Sequence, residues 1–181
     1  MKGRLRLAVL VAVVAALAVA VTTAIAGGGK EIREHLTGYE EDPLVLSTPG
    51  KGTFNAWIDK SGQEISYRLS YEDLVGDVEQ AHIHLGGRHQ SGGIAVFLCT
   101  NLGNSAQPTQ PCPPSPATIT GTFGATDVIG PAGQGIDPGE FGELLDAVRA
   151  GVTYANVHSS EYPGGEIRAQ LDKRHPWRNN D

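Results

Sequence analysis

From Glu34 onward the chain runs in short stretches of alternating apolar and polar residues, each broken by turn-forming residues. Thr53 to Asp59 sets Phe54, Ala56 and Ile58 on one face. Ser61-Gly62 then reads as a turn, and Glu64 to Tyr71 gives the cleanest alternation in the chain. There Ile65, Tyr67, Leu69 and Tyr71 share one face, and Glu64, Ser66, Arg68 and Ser70 share the other, as the two-residue period of a half-buried strand requires. The two runs predict a β-hairpin. Glu79 to Leu85 follows the same rule, with Ala81, Ile83 and Leu85 toward the core and His82 and His84 together on the opposite face. Ile94 to Cys99 is almost continuously apolar, as in a strand covered on both sides. Thr118 to Phe123, Val152 to His158 and Glu166 to Leu171 complete the strands. On the second of these, Tyr154, Asn156 and His158 share a face. Tyr162-Pro163-Gly164-Gly165 reads as a type II turn between the last two strands.

One stretch has the helical period. Phe141, Leu144, Leu145 and Val148 form an apolar stripe, preceded by Asp137 as N-cap and Pro138 at the first helical position, and closed by Gly151. Many short strands with a single short surface helix predict an all-β, antiparallel sandwich or barrel. No helix–strand alternation and no internal repeat is visible.

The ends change the picture by adding a compartment. Lys2, Arg4 and Arg6 precede an unbroken apolar run from Leu7 to Ala20, and Ala24-Ile25-Ala26 is a small-x-small cleavage site. Residues 1–26 therefore read as a signal peptide, with an uncleaved membrane anchor as the competing reading, since a span takes about 20 residues. Residues 27–33 read as a linker, 34–172 as the domain, and 173–181 as a flexible tail. The formal charge is −6, and removing Lys2, Arg4 and Arg6 with the leader takes it to −9. An acidic surface argues against nucleic acid and against anionic lipid as partners, and leaves an extracellular or cell-surface protein as the partner class. The expected location is secreted or extracytoplasmic, or N-terminally membrane-anchored if the segment is retained.

The two cysteines, Cys99 and Cys112, enclose a Pro-rich loop. In an exported chain an even count predicts a disulfide, and the pair lacks the short spacing of a zinc knuckle. No motif of nucleophilic, phosphate-binding or metalloprotease chemistry is present, so the expectation is a domain without catalytic activity.

With these residues in view, the chain resembles the CHRD domain, the module named after chordin and found also in exported microbial proteins. The resemblance runs from Leu36-Thr37-Gly38-Tyr39-Glu40-Glu41 through Gly52-Thr53-Phe54, Tyr67-Arg68-Leu69 and Ala81-His82-Ile83-His84. It closes with Ala150 to Ser159 and with Pro163-Gly164-Gly165-Glu166-Ile167-Arg168-Ala169-Gln170-Leu171. Leu85 and Ala169 stand where the family usually has Gly. The resemblance implies an immunoglobulin-like or superoxide-dismutase-like β-sandwich or barrel, and a binding or structural module rather than a reaction.

Two readings of the histidines stand side by side. His82, His84 and His158 form a candidate metal site, because imidazoles two apart on a strand reach one ion and a neighbouring strand supplies a third; copper or zinc suits such ligands. Glu166, Glu79 or Glu161 would add an oxygen. In the other reading His84, His158, Glu166 and Arg168 form a structural hydrogen-bonded network that ties strands together, and no cofactor is involved. His35, His89 and His175 fall outside both readings.

Overall fold

A computed structural model describes residues 31–172. The expected leader, and the tail with His175, lie outside the described residues.

The described residues form eight strands and one α-helix: β1 (Glu31–Thr37), β2 (Lys51–Ile58), β3 (Ile65–Glu72), β4 (Val78–Leu85), β5 (Ile94–Thr100), β6 (Ala117–Phe123), α1 (Phe141–Ala150), β7 (Thr153–Ser159) and β8 (Ile167–Gln170). All pairings are antiparallel, in the order β5-β4-β7-β8-β1-β2-β3-β6. The ladder between β1 and β8 is a single pair, Thr37 with Arg168. The sheet thus folds there into two halves that close on one core, an arrangement between a sandwich and a barrel. The alternation of β3 is realised residue by residue: Ile65, Tyr67, Leu69 and Tyr71 are buried, while Arg68 and Glu72 are exposed.

The barrel does not close by strand pairing. β5 and β6 are its two edges, and the loop between them fills the seam. Gln110 Nε2 donates to Leu98 O on β5 at 3.2 Å and to Thr120 O on β6 at 3.1 Å. Tyr67 Oη also donates to Leu98 O, at 2.9 Å. The loop is fastened by the Cys99–Cys112 disulfide, and Tyr71 Oη donates to Pro113 O at 2.6 Å. An uncovered seam would leave two rows of backbone donors and acceptors beside the core, so the Pro-rich insertion serves as the missing strand contact.

Three expectations are corrected. The strand β1 begins at Glu31, with Ile32 buried, inside the stretch read as a linker over 27–33. Its polar positions at 31, 33 and 35 resemble a linker in composition, yet they are only the outer face of a strand. The helix starts at Phe141, not Pro138, with no side-chain cap at Glu140. Gly139 at φ +90° breaks the backbone first, and Asp137 receives a bond from no helical amide; instead its own N–H donates to Glu140 Oε2 at 2.8 Å. The apolar stripe and the left-handed Gly151 C-cap are as expected. Finally, the turn after β7 closes with Gly165 N donating to Tyr162 O at 3.0 Å, but the positive φ lies at Gly165 rather than Gly164, so it is not type II.

Candidate metal centre

His82 and His84 lie on the face of β4 opposite Ala81 and Ile83, as alternation requires, and that face is buried too. Every residue of β7 is buried, the polar ones included. Three loops cover the outer side of β4, β7 and β8. The first is the loop 86–93. Arg168 donates through Nη2 to Gly87 O and Gln90 O, Gln170 Nε2 donates to Gly86 O, and the Gly92 N–H donates to Tyr154 Oη. A Cβ at Gly92 would overlap the Leu85 carbonyl, so only glycine lets this loop lie so close. The second is the segment after β1, where Glu41 Oε2 accepts from Asn156 Nδ2 at 3.2 Å. The third is the turn 160–165.

Under this cover the three imidazoles meet. His82 is 0 %, His84 7 % and His158 5 % exposed. One ligand nitrogen from each lies within 4.8 Å of the others. Ring centroids are 5.3 Å apart for His82 and His84, 4.8 Å for His82 and His158, and 5.8 Å for His84 and His158. Tetrahedral bonds of 2.0–2.1 Å place ligand nitrogens about 3.3 Å apart, so the set is somewhat wider than a closed site.

Backbone carbonyls fix the tautomers. His84 Nδ1 faces Gly92 O at 3.0 Å, and His158 Nδ1 faces Pro163 O at 3.0 Å. A carbonyl only accepts, so both Nδ1 atoms carry the proton and both Nε2 atoms present lone pairs. His158 Nε2 in turn lies 3.0 Å from His82 Nδ1, which donates to it. Two lone pairs then remain without any partner: His82 Nε2 and His84 Nε2 are buried and unsatisfied.

Burial is also the main reason why all three rings are neutral. Desolvation pushes His84 and His158 down to about 4 and His82 to about 2; His158 and His84 add to the shift at His82, and His158 and then Arg168 add to that at His84, against the opposing Gly92 bond. Three neutral imidazoles are the form that binds metal.

Not every residue expected at the site is there. Glu166 belongs to neither the cluster nor a pair with Arg168: it accepts from Ser159 Oγ at 2.5 Å and from the Val75 N–H at 2.7 Å. Period two puts Glu166 and Arg168 on one side of the chain, but Glu166 sits at the turn, and its carboxylate serves the loop beside it. Arg168 is held instead by the loop 86–93 and by Tyr154, whose ring centroid lies 3.5 Å from the guanidinium carbon. Tyr154 stacks in parallel on His84 at 4.8 Å, so guanidinium, phenol and imidazole form one pile. Glu79 and Glu161 do not join the three histidines. His35 lies on β1, and His89 is exposed at the tip of the loop 86–93 with φ +57°. Sequence reasoning put Tyr154 and Asn156 on the face of His158 but not in its network, and it gave Gln170 and Glu41 no role, because polar residues opposite a core face read as solvent-facing. The glycine pairs at 86–87 and 92–93 were the available sign that a loop packs closely there.

A disulfide-fastened antiparallel β-domain with a polar layer buried beneath its loops defines the class. Within that class, the model of the CHRD domain family matches residues 32–171, and the chain belongs to that family. No curated protein matches the chain, and no solved structure does.

Proposed function

We propose that this CHRD domain is an exported binding module whose ligand is a metal ion, copper or zinc, held by His82, His84 and His158. The observation that carries this reading is the orphaned, buried lone pair of His84 Nε2, which converges with the hydrogen-bonded pair His82 Nδ1 and His158 Nε2. A buried acceptor without a partner costs about 1–3 kcal/mol, and an ion in the cluster relieves that cost. If the histidines only tied strands together, the Nδ1 bonds to Gly92 O and Pro163 O would suffice, and an apolar ring face would serve as well at the centre. Export is supported by the leader-like segment Leu7 to Ala26 and by the disulfide, which fits an oxidising compartment. The described residues include no helix long and apolar enough to cross a membrane. An extracellular or cell-surface protein remains the partner class, supported by the acidic charge and the absence of a basic patch motif.

The test is metal analysis and thermal denaturation of the purified protein, with and without added Cu or Zn. The reading expects one ion per chain and a rise in melting temperature with metal, both weakened in His84→Phe. That variant keeps the ring stacked on Tyr154 while removing both nitrogens. Absence of any stoichiometric ion, or an unchanged response in His84→Phe, overturns it.

A further inference from the structure

Resting on the metal-binding reading, we propose that the centre is selective for monovalent copper over divalent zinc. The argument is one of charge and coordination number. The three donors are neutral imidazoles, and among the described residues no carboxylate or thiolate joins them. Glu166 uses both oxygens on Ser159 and Val75. Glu41 accepts from Asn156 through Oε2 and has no partner at Oε1, but it is not among the groups that converge with the histidines. Both cysteines are in the disulfide. The site therefore brings no negative charge to an ion.

It brings positive charge from the side. Arg168 is 2 % exposed and lies on Tyr154, which itself stacks on His84. The Phe97 ring stands edge-on to His82 at 4.4 Å. The cost of taking an ion out of water grows with the square of its charge, so a divalent ion in this pocket is penalised about fourfold more than a monovalent one. Zn²⁺ offsets that penalty elsewhere with anionic ligands or with a fourth ligand, commonly water. Here the first are missing, and the cover of three loops leaves the rings nearly closed to solvent. Cu⁺, a closed-shell ion, is satisfied by two or three imidazole nitrogens in linear to trigonal arrangement and needs no fourth.

The pair His82 Nδ1 and His158 Nε2, 3.0 Å apart, is where the ion enters. An ion held there would take the place of the shared proton, and His82 would switch to its Nε2-protonated tautomer with no change in the charge of the ring. His84 Nε2, unpartnered and fixed by the Gly92 carbonyl, supplies the third nitrogen. The binding step involves no electron transfer.

The experiment is a pair of competition titrations on the intact protein. Cu⁺ is held reduced and buffered by a chromogenic cuprous chelator, and Zn²⁺ is buffered by a chromogenic zinc chelator; His84→Phe runs in parallel. The inference expects one equivalent of Cu⁺ at an affinity at least about a thousandfold above that for Zn²⁺. It expects His84→Phe to lower the Cu⁺ affinity at least about tenfold, with the far-ultraviolet circular dichroism unchanged. Zinc binding as tight as copper overturns the selectivity while leaving the metal-binding reading standing. Binding of neither ion overturns both. Should His84→Phe fold poorly, Ag⁺ titration of the unaltered protein decides: the inference expects Ag⁺ to compete with Cu⁺ one for one, and competition by Zn²⁺ alone overturns it.

Discussion

At His158 a single carbonyl, that of Pro163, decides which nitrogen faces the cluster, and this kind of detail was not legible in the sequence. His82, His84 and His158 were legible as a group, because alternation and family order put them together. Their tautomers depend on loops whose path no periodicity encodes. Glu41 shows the same limit. It follows β1 in a polar run that reads as surface, yet it is 5 % exposed. Burial pushes its carboxyl up to about 7, against the smaller opposing effects of the Asn156 bond and Arg168. A folded-state pKa above the unfolded one stabilises the protein fully below pH 4.5 and loses that contribution as pH rises through 7. Glu41→Gln keeps an acceptor for Asn156 and removes the proton linkage. Urea midpoints at pH 5 and pH 8, in chelator, should show the variant gaining about 2–3 kcal/mol on the unaltered protein between the two values. Equal pH dependence in the two proteins would show that Glu41 is not buried as described. Gly165 offers a second check at this scale. A Cβ there would come within 2.6 Å of the Asn156 amide and 2.7 Å of Glu41 Oε2, at φ +129°. Gly165→Ala should therefore lower the urea midpoint by an amount worth about 2 kcal/mol or more.

Among the elements, β3 and α1 illustrate what pattern alone specifies. The faces of β3 follow from period two, and the stripe of α1 from period 3.6, since each element packs one face on the core. Elements buried on both faces were legible only when apolar on both, as in β5. The polar face of β7 was not, because burial of Asn156 and His158 depends on partners distant in sequence. The 101–116 loop lies between these cases: the disulfide was legible from the cysteine count, but its service as a seam between β5 and β6 was not. The closing of a loop of this length stabilises by about 3 kcal/mol. Replacing Cys99 and Cys112 together by Ser should lower the urea-derived stability by about that much. Gln110→Ala should cost about 1–2 kcal/mol through the lost bonds to Leu98 O and Thr120 O. A neutral result for Gln110→Ala would mean that water seals the seam equally well.

For the molecule as a whole, antiparallel all-β architecture was legible from strand spacing, and the family from the order of its motifs. The near-closure was not, since the seam between β5 and β6 is bridged by the 101–116 loop rather than by strand pairing. Stability against acid is also a property of this scale. The three histidines have folded-state values of about 2 to 4 against 6.5 unfolded. Depressed values for a base mean stability fully present above pH 6.5 and lost as pH falls through 4, because unfolding takes up protons. Metal-free protein should lose stability over that interval with a slope of up to about 4 kcal/mol per pH unit, reduced by the opposite trend of Glu41. Denaturant midpoints between pH 7 and pH 4 measure it, and a flat profile would count against a buried neutral cluster.

That cluster is best tested by the X-ray absorption fine structure of the copper-loaded protein at the metal edge. Three nitrogen scatterers at about 2.0 Å, with the outer-shell pattern of imidazole rings, are the expected result. A shell of oxygen atoms, or one without imidazole scattering, would contradict a centre built from His82, His84 and His158.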